Sequence, residues 1–307
     1  MVGGSFLEYA DNYIKLMNEE TQESRKSIIN KLRAYLGKSL NGRQNDLSFP
    51  EITYKFLKNY ERYLKKIGNG ANTIHGNMKF LKTVWRDAVK TKHFRTMDNP
   101  WDDYNAPKEK SQRTRLKPVQ IEEIEALIVK QGTRKFDSKN MFLFSYYLQG
   151  MRVSDVLQLR WNQIKGSHLH YKAGKTKKAR SRKLIVRAKQ ILEYYQKPKQ
   201  SKDDYIFPFL QGINKADWQP RKFRKLLDAK NSKIRSGLME IAEELGYEKL
   251  SMHVARHSFA DIARKIIGDV HQVSDALDHS SISITENYFN DAEPEENDEL
   301  VRKIFGE

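Results

Sequence analysis

Apolar residues along the first third of the chain recur every three or four positions, the period of helices that bury one face. Phe6, Tyr9, Tyr13 and Met17 form one such stripe, and Ile28, Ile29, Leu32 and Leu36 form the next, with Gly37 as its stop. Ser48-Phe49-Pro50-Glu51 has the order of an N-cap followed by proline in the first turn, which predicts a helix from there to Lys66. Ile74, Met78, Leu81, Trp85 and Ala88 predict a fourth helix from Ala71 to Lys90. Four helices with short connections make a small all-α domain, residues 1–101.

From 102 to 118 the apolar signal fades. Five of the ten residues from Ala106 to Arg115 are charged, and four of those five are basic. This stretch reads as an interdomain linker, either solvated along its length or tracking a polyanion through Arg113 and Arg115. After Pro118 a helix is expected on Ile121, Ile124, Leu127 and Ile128, then a very apolar one over Met141–Leu148. Three β-like segments follow at 161–165, 168–172 and 182–187, the last two joined by a hairpin-like loop from Ala173 to Arg180. Helices resume near 188, with a long amphipathic stretch from Arg221 to Glu244. The fold class is therefore mainly α: a four-helix first domain, then a mainly helical second domain, 119–290, carrying a small antiparallel β-sheet.

Charge narrows the partner. Lys and Arg number 56 against 39 Asp and Glu, a formal charge of +17 in 307 residues. Such a surplus points to a polyanion, and 38% apolar with 11% aromatic residues favours a folded domain over a basic tail. No apolar run approaches a membrane span, and the N-terminus lacks the basic and apolar regions of a secretory signal. The absence of cysteine excludes disulfides and thiolate metal sites, and it fits an intracellular protein. No His or Asp cluster has metal-ligand spacing, so neither a metal nor another cofactor is expected.

Three separated segments hold the chemistry. Gly150-Met151-Arg152-Val153-Ser154-Asp155 places a carboxylate three residues after an arginine; alone, that reads as a surface ion pair within a helix. His253-Val254-Ala255-Arg256-His257 puts His253 and Arg256 on one helix face, with His257 one step around. Leu277-Asp278-His279-Ser280-Ser281-Ile282-Ser283-Ile284-Thr285-Glu286-Asn287-Tyr288 sets a histidine nine residues before a tyrosine. Arginine forks grip phosphodiester oxygens, imidazoles donate hydrogen bonds and move protons, and a phenol can attack phosphorus. Between these segments, Lys165 to Leu192 holds ten Lys or Arg residues and no Asp or Glu. A run of that bias argues for phosphate contact through Lys172, Lys177, Lys178 and Arg180.

The order and spacing of these motifs resemble the tyrosine recombinase (phage integrase) family, over most of 117–290 and more loosely over the preceding hundred residues. The resemblance implies a SAM-like core DNA-binding domain at 1–101 and a catalytic domain at 119–290. It implies that Arg152, Lys175, His253, Arg256, His279 and Tyr288 are catalytic, with Asp155 and His257 behind them. Val156-Leu157-Gln158-Leu159-Arg160-Trp161 also fits the family's continuation. In the family Tyr288 would form a 3′-phosphotyrosyl bond, the two arginines would hold the phosphate, and His253 would take the tyrosine's proton. His279 would donate to the phosphate, and a lysine in the turn between two strands would protonate the leaving 5′-oxygen. Lys175 fits that turn best, with Lys172, Lys177 and Lys178 as rivals. One departure is Asp278, where the family usually has glycine. Aspartate tolerates a left-handed turn, but an extra carboxylate there is expected to weaken DNA binding or tune the nearby histidine.

The implied partners are double-stranded DNA and three more copies of the chain, a homotetramer on paired sites, with room for accessory DNA-bending proteins and no membrane. The implied location is cytoplasmic, on the nucleoid of a prokaryote or phage-infected cell. Many family members carry a further arm-binding module; this chain begins almost at the first core-binding helix, so it reads as a two-domain enzyme or one shown without that module. A type IB topoisomerase, a non-catalytic DNA-binding protein and a metal-dependent nuclease are the competing readings. The tail, 291–307, crowds six carboxylates into Asp291–Glu299 and then an apolar stripe, Leu300, Val301, Ile304 and Phe305. That stripe is too short to be stable alone and is expected to dock, on its own domain or in trans on a neighbouring protomer.

Overall fold

The Ser5 hydroxyl accepts the Glu8 backbone N–H at 2.9 Å and so starts the first helix of the chain, α1 (Phe6–Lys15). The computed structural model describes residues 4–39, 46–110, 113–279 and 281–290, and the chain divides into two compact units, 1–111 and 112–307. The first unit continues with α2 (Glu19–Ser39), α3 (Tyr54–Lys66) and α4 (Ala71–Lys90). Its core takes Ile29, Leu32, Leu57, Tyr60, Leu64 and the whole predicted stripe of α4. The face of α1 that is buried is Phe6, Leu7, Ala10 and Ile14, whereas Tyr9, Tyr13 and Met17 lie half-buried beside it. The tyrosines mark the flank because a phenol keeps its polar end near water; the Tyr9 hydroxyl donates to Asp87 at 2.7 Å.

Two expected boundaries move. Gly37 does not stop α2, which runs on to Ser39. Ser48-Phe49-Pro50-Glu51 makes a capping box on a single 3₁₀ turn, and α3 starts separately where the Thr53 hydroxyl accepts the Phe56 N–H. The stretch read as a linker is also divided. Tyr104 joins Trp101 in the first unit's core, its hydroxyl donating to Glu61 at 2.9 Å. Leu116 is buried in the second, its N–H donating to the Ser258 hydroxyl at 2.8 Å.

The second unit is arranged around α6 (Arg134–Tyr147), whose residues Met141 to Ser145 are all buried. Around it pack α5 (Pro118–Ala126), α8 (Val186–Glu193), α9 (Pro220–Leu245) and α10 (Met252–Ile267). Gly237 lets α9 approach α6: a Cβ there would lie 2.4 Å from the Ser138 hydroxyl oxygen. Ile128, expected inside, is exposed, because α5 ends at Ala126. The short α7 (Val153–Leu157) leads to the antiparallel sheet of β1 (Ile164–Lys165), β2 (His168–Lys172) and β3 (Ala179–Lys183), in that order, with Lys172 opposite Ala179. The third strand lies earlier than the apolar run 182–187 suggested. Leu184 is buried at its end, while Val186 is exposed and opens α8. Consequently Arg180 is a strand residue, not a loop residue. The chain then adds α11 (Val270–Leu277) and α12 (Ile282–Phe289), packed against α10 over Ala260, Ala263, Val273, Leu277 and Tyr288. Among the described residues no helix is long and apolar enough to cross a membrane. The tail stripe from Leu300 to Phe305 lies outside the described residues.

Candidate active site

After α6, Gln149 and Gly150 both have positive φ, 61° and 69°, and this double turn reverses the chain. A Cβ on Gly150 would meet the Cα of Arg256 at 2.9 Å, so glycine is needed both for the angle and for the approach. Arg256, on α10, is buried; its Nη1 donates to the Gly150 carbonyl at 2.8 Å and its Nη2 to the Leu277 carbonyl. It therefore ties the turn before α7 to the end of α11. Burial, helped by the nearby Arg152, pushes its pKa down to about 10, still protonated at neutral pH. Arg152 is the residue that caps α7, and its Nη2 donates to the Asp278 carbonyl at 3.2 Å. The two guanidiniums converge although 104 positions separate them in sequence.

Asp155 does not form the intrahelical pair that its spacing suggests. Its carboxylate turns to the β2–β3 turn and accepts the Gly174 N–H at 3.0 Å. Burial raises its pKa, and that backbone hydrogen bond and Arg152 oppose the rise. Lys175 follows Gly174 directly and is exposed, as are Lys172, Lys177 and Lys178. Arg180 is half-buried and pairs with the Asp278 carboxylate. Asp278 sits at the end of α11 with φ 56° and ψ 46°, so aspartate holds the left-handed turn for which glycine was expected. Its carboxylate also accepts the Thr176 hydroxyl at 2.8 Å and lies 3.6 Å from Arg152 Nη1. Burial alone would raise its pKa, but Arg180, Thr176 and Arg152 together hold it below the usual aspartate value.

Tyr288, on α12, is only 2% exposed, and its hydroxyl lies 2.7 Å from Nδ1 of His257. His279 lies nearly parallel to the phenol ring, with centroids 6.1 Å apart, and is itself fixed by Thr285 through a 2.7 Å contact at Nδ1. The Arg113 guanidinium covers the phenol ring at 4.8 Å. Arg115 pairs with Asp261 at 3.0 Å, so these two residues pack on the second unit and do not trail through solvent. Nη1 of Arg113 and Nε of Arg180 are buried and meet no acceptor among the described residues.

His253 is exposed, one turn before His257, with ring centroids 6.4 Å apart. The imidazole in contact with the phenol is thus His257, where the sequence favoured His253. The i, i+4 spacing of the two histidines was the available signal, since it puts both on one face. Burial, reinforced by neighbouring arginines, pushes the pKa values of His257 and His279 down to about 4, and His253 is lowered by the same causes. All three favour the neutral form at pH 7, able to accept one proton each.

Two family profiles cover this architecture. The phage integrase SAM-like domain matches residues 5–106, and the phage integrase family matches residues 114–295. The chain belongs to the phage integrase family. It is a tyrosine recombinase, an enzyme that breaks and rejoins DNA strands. Among curated proteins it is similar to tyrosine recombinase XerD of Rickettsia bellii (strain RML369-C), 22% identical over 304 residues, covering 92% of this chain and 93% of that one. It is also similar to the probable integrase/recombinase YoeC of Bacillus subtilis (strain 168), 27% identical over 182 residues, covering 58% of this chain and 91% of the relative. Among solved structures, the Tn1549 transposon integrase in complex with transposon right end DNA matches at a TM-score of 0.66 and 12% identity, over 99% of this chain and 100% of that one. A lambda integrase dimer bound to a COC′ core site matches at 0.64 and 18% identity, over 93% and 95%. At such identities these structures speak for the recombinase fold, two-unit and mainly helical.

Proposed function

We propose that this recombinase acts at specific DNA sites, with Tyr288 as its nucleophile. The observation that carries the reading is the Tyr288 hydroxyl 2.7 Å from a neutral His257, in the cluster that also holds Arg152, Arg256 and His279. The phenol oxygen attacks the phosphorus, its proton passes to His257, and the bond to the 5′-oxygen breaks. Lys175 gives its proton to that oxygen, leaving a 3′-phosphotyrosine and a free 5′-hydroxyl. Arg152 and Arg256 balance the charge on the non-bridging oxygens of the transition state, where fixed donors are most effective. His253 and His279 are assigned hydrogen bonds to the same phosphate. A 5′-hydroxyl from a partner strand then reverses the steps. The phosphotyrosine conserves the bond energy, so the cycle balances without ATP.

The first unit, about residues 1–101, is assigned to binding the core duplex, and 119–290 to cleavage. Two duplexes present four strands, so strand exchange calls for a homotetramer on paired sites, and accessory DNA-bending proteins are compatible with that assembly. Such an enzyme would work on the nucleoid. Tyr288 is almost fully covered, so a phosphodiester reaches it only after Arg113 or α12 shifts. The test is a nicked suicide substrate: the wild-type chain is expected to leave a denaturation-resistant protein–DNA adduct, also in EDTA. An EDTA-sensitive reaction that leaves only free ends would overturn the reading in favour of a nuclease.

A further inference from the structure

Lys175 has no rigid environment of its own, since it is exposed in a turn whose other lysines are exposed too. A general acid nevertheless needs a fixed position, because proton transfer falls off steeply with misplacement. The residues on either side of it are both held. On one side, the Gly174 N–H donates to Asp155, and a Cβ on Gly174 would lie 2.9 Å from that carboxylate. On the other, the Thr176 hydroxyl donates to Asp278 at 2.8 Å. Asp278 also grips Arg180 on β3, so it engages both the turn and the strand that follows. Lys177 adjoins only Thr176, and Lys172 and Lys178 adjoin neither residue, so of these lysines Lys175 alone is flanked on both sides by residues the two carboxylates hold.

We propose that Asp278 is a positioning residue for the leaving-group proton: with Asp155 it clamps the β2–β3 turn so that Lys175 faces the phosphate bound by Arg152. The inference rests on the assignment of Lys175 as the general acid. Its physical basis is a buried carboxylate joining the end of α11 to the turn and, across 3.6 Å, to Arg152 Nη1. A buried charge is tolerated only when several charge-assisted hydrogen bonds satisfy it, and those bonds fix the geometry of their donors. The pKa of Asp278, held low by Arg180 and Thr176, keeps the clamp ionised at neutral pH. Glycine at 278 would keep the left-handed turn and delete only the clamp.

The test compares an ordinary suicide substrate with one carrying a 5′-bridging phosphorothiolate, whose thiolate leaves without needing a proton. Asp278→Gly and Thr176→Val release the turn from opposite ends. Each is expected to slow cleavage of the ordinary substrate by about tenfold to a hundredfold and to cleave the phosphorothiolate nearly as the wild type does, with Thr176→Ser restoring the ordinary rate. Equal slowing on both substrates, while Lys175→Ala is rescued by sulfur, would overturn the clamp and leave the general acid standing. Faster cleavage or tighter DNA binding by Asp278→Gly would also overturn it, by making Asp278 a competitor of the phosphate. If Lys175→Ala is not rescued, the general-acid assignment fails. Amide hydrogen exchange over 173–178 then decides the clamp separately: faster exchange in Asp278→Gly supports it, and unchanged exchange refutes it.

Discussion

Glu61 in the first unit and Asp278 in the second are both buried carboxylates, yet they hold together different things. Glu61 is met by Lys65 and Lys58 from its own helix, one turn away on either side, and by Tyr104. Those hydrogen bonds and charges outweigh its burial and hold its pKa below the usual glutamate range. Asp278 is met by Thr176, Arg180 and Arg152, which lie 102, 98 and 126 residues away. The first arrangement braces one helix and its neighbour. The second couples three segments of the proposed site that have no local reason to meet. Damage near Glu61 should therefore appear as lost stability, and damage around Asp278 as lost chemistry.

The largest expected effect lies wholly on the chemical side. Tyr288→Phe removes one oxygen, and it should abolish the covalent adduct on a suicide substrate while DNA binding in a gel-shift assay stays near wild type; a persisting adduct would reject Tyr288 as the nucleophile. Next come Arg152→Lys and Arg256→Lys, which keep the charge but lose the planar fork. Single-turnover cleavage should fall by about two to three orders of magnitude, the scale of one preorganised donor. Near-normal rates in both would erase the contrast between the two regions.

The third effect is the site histidines' contribution to the pH dependence of stability. His257 and His279 titrate at about 4 in the folded chain against an ordinary 6.5, so folding favours their neutral forms. Their contribution is complete above about pH 6.5 and is lost as pH falls toward 4. Asp155, raised by burial, acts with the opposite sign above its ordinary 3.8, so a variant comparison is needed to isolate the histidines. Urea melts at pH 7 and pH 5 should show a drop in midpoint that shrinks when both histidines become asparagine. A drop of equal size in the double variant would place the titration elsewhere. The smallest effect sharpens the other side: Tyr104→Phe deletes one hydrogen bond to Glu61 and should cost about 1 kcal/mol of stability, with the cleavage rate unchanged. A large loss of cleavage would show that the first unit's packing reaches the chemistry.

Legibility followed the same division. The stripe Ile74, Met78, Leu81, Trp85 and Ala88 is buried as its period predicts, because a helix face is decided by neighbours three and four positions away. The buried face of α1 departs from its apolar stripe because tyrosine counts as apolar while its hydroxyl seeks a partner, here Asp87. β3 precedes the apolar residues 184–186 that suggest it, because the strand itself, Ala179-Arg180-Ser181-Arg182-Lys183, alternates in burial without alternating apolar with polar residues; its basic side chains find acceptors across the unit, such as Arg182 on the Ala276 carbonyl. In the site, motif spacing indicated the residues, but not which histidine meets the phenol or where Asp155 points.

The sequence by itself determined the helical stripes, the basic surplus, and the three motifs whose order and spacing mark a tyrosine recombinase. These are properties of single residues and of neighbours within a turn or two, and they are written locally. Only the tertiary structure decided that His257 touches Tyr288, that Arg113 covers its ring, and that Asp155 and Asp278 bracket Lys175. The partners in those contacts come from distant segments, and the packing of α6, α10, α11 and the hairpin sets their distances. Nothing within either segment could specify them.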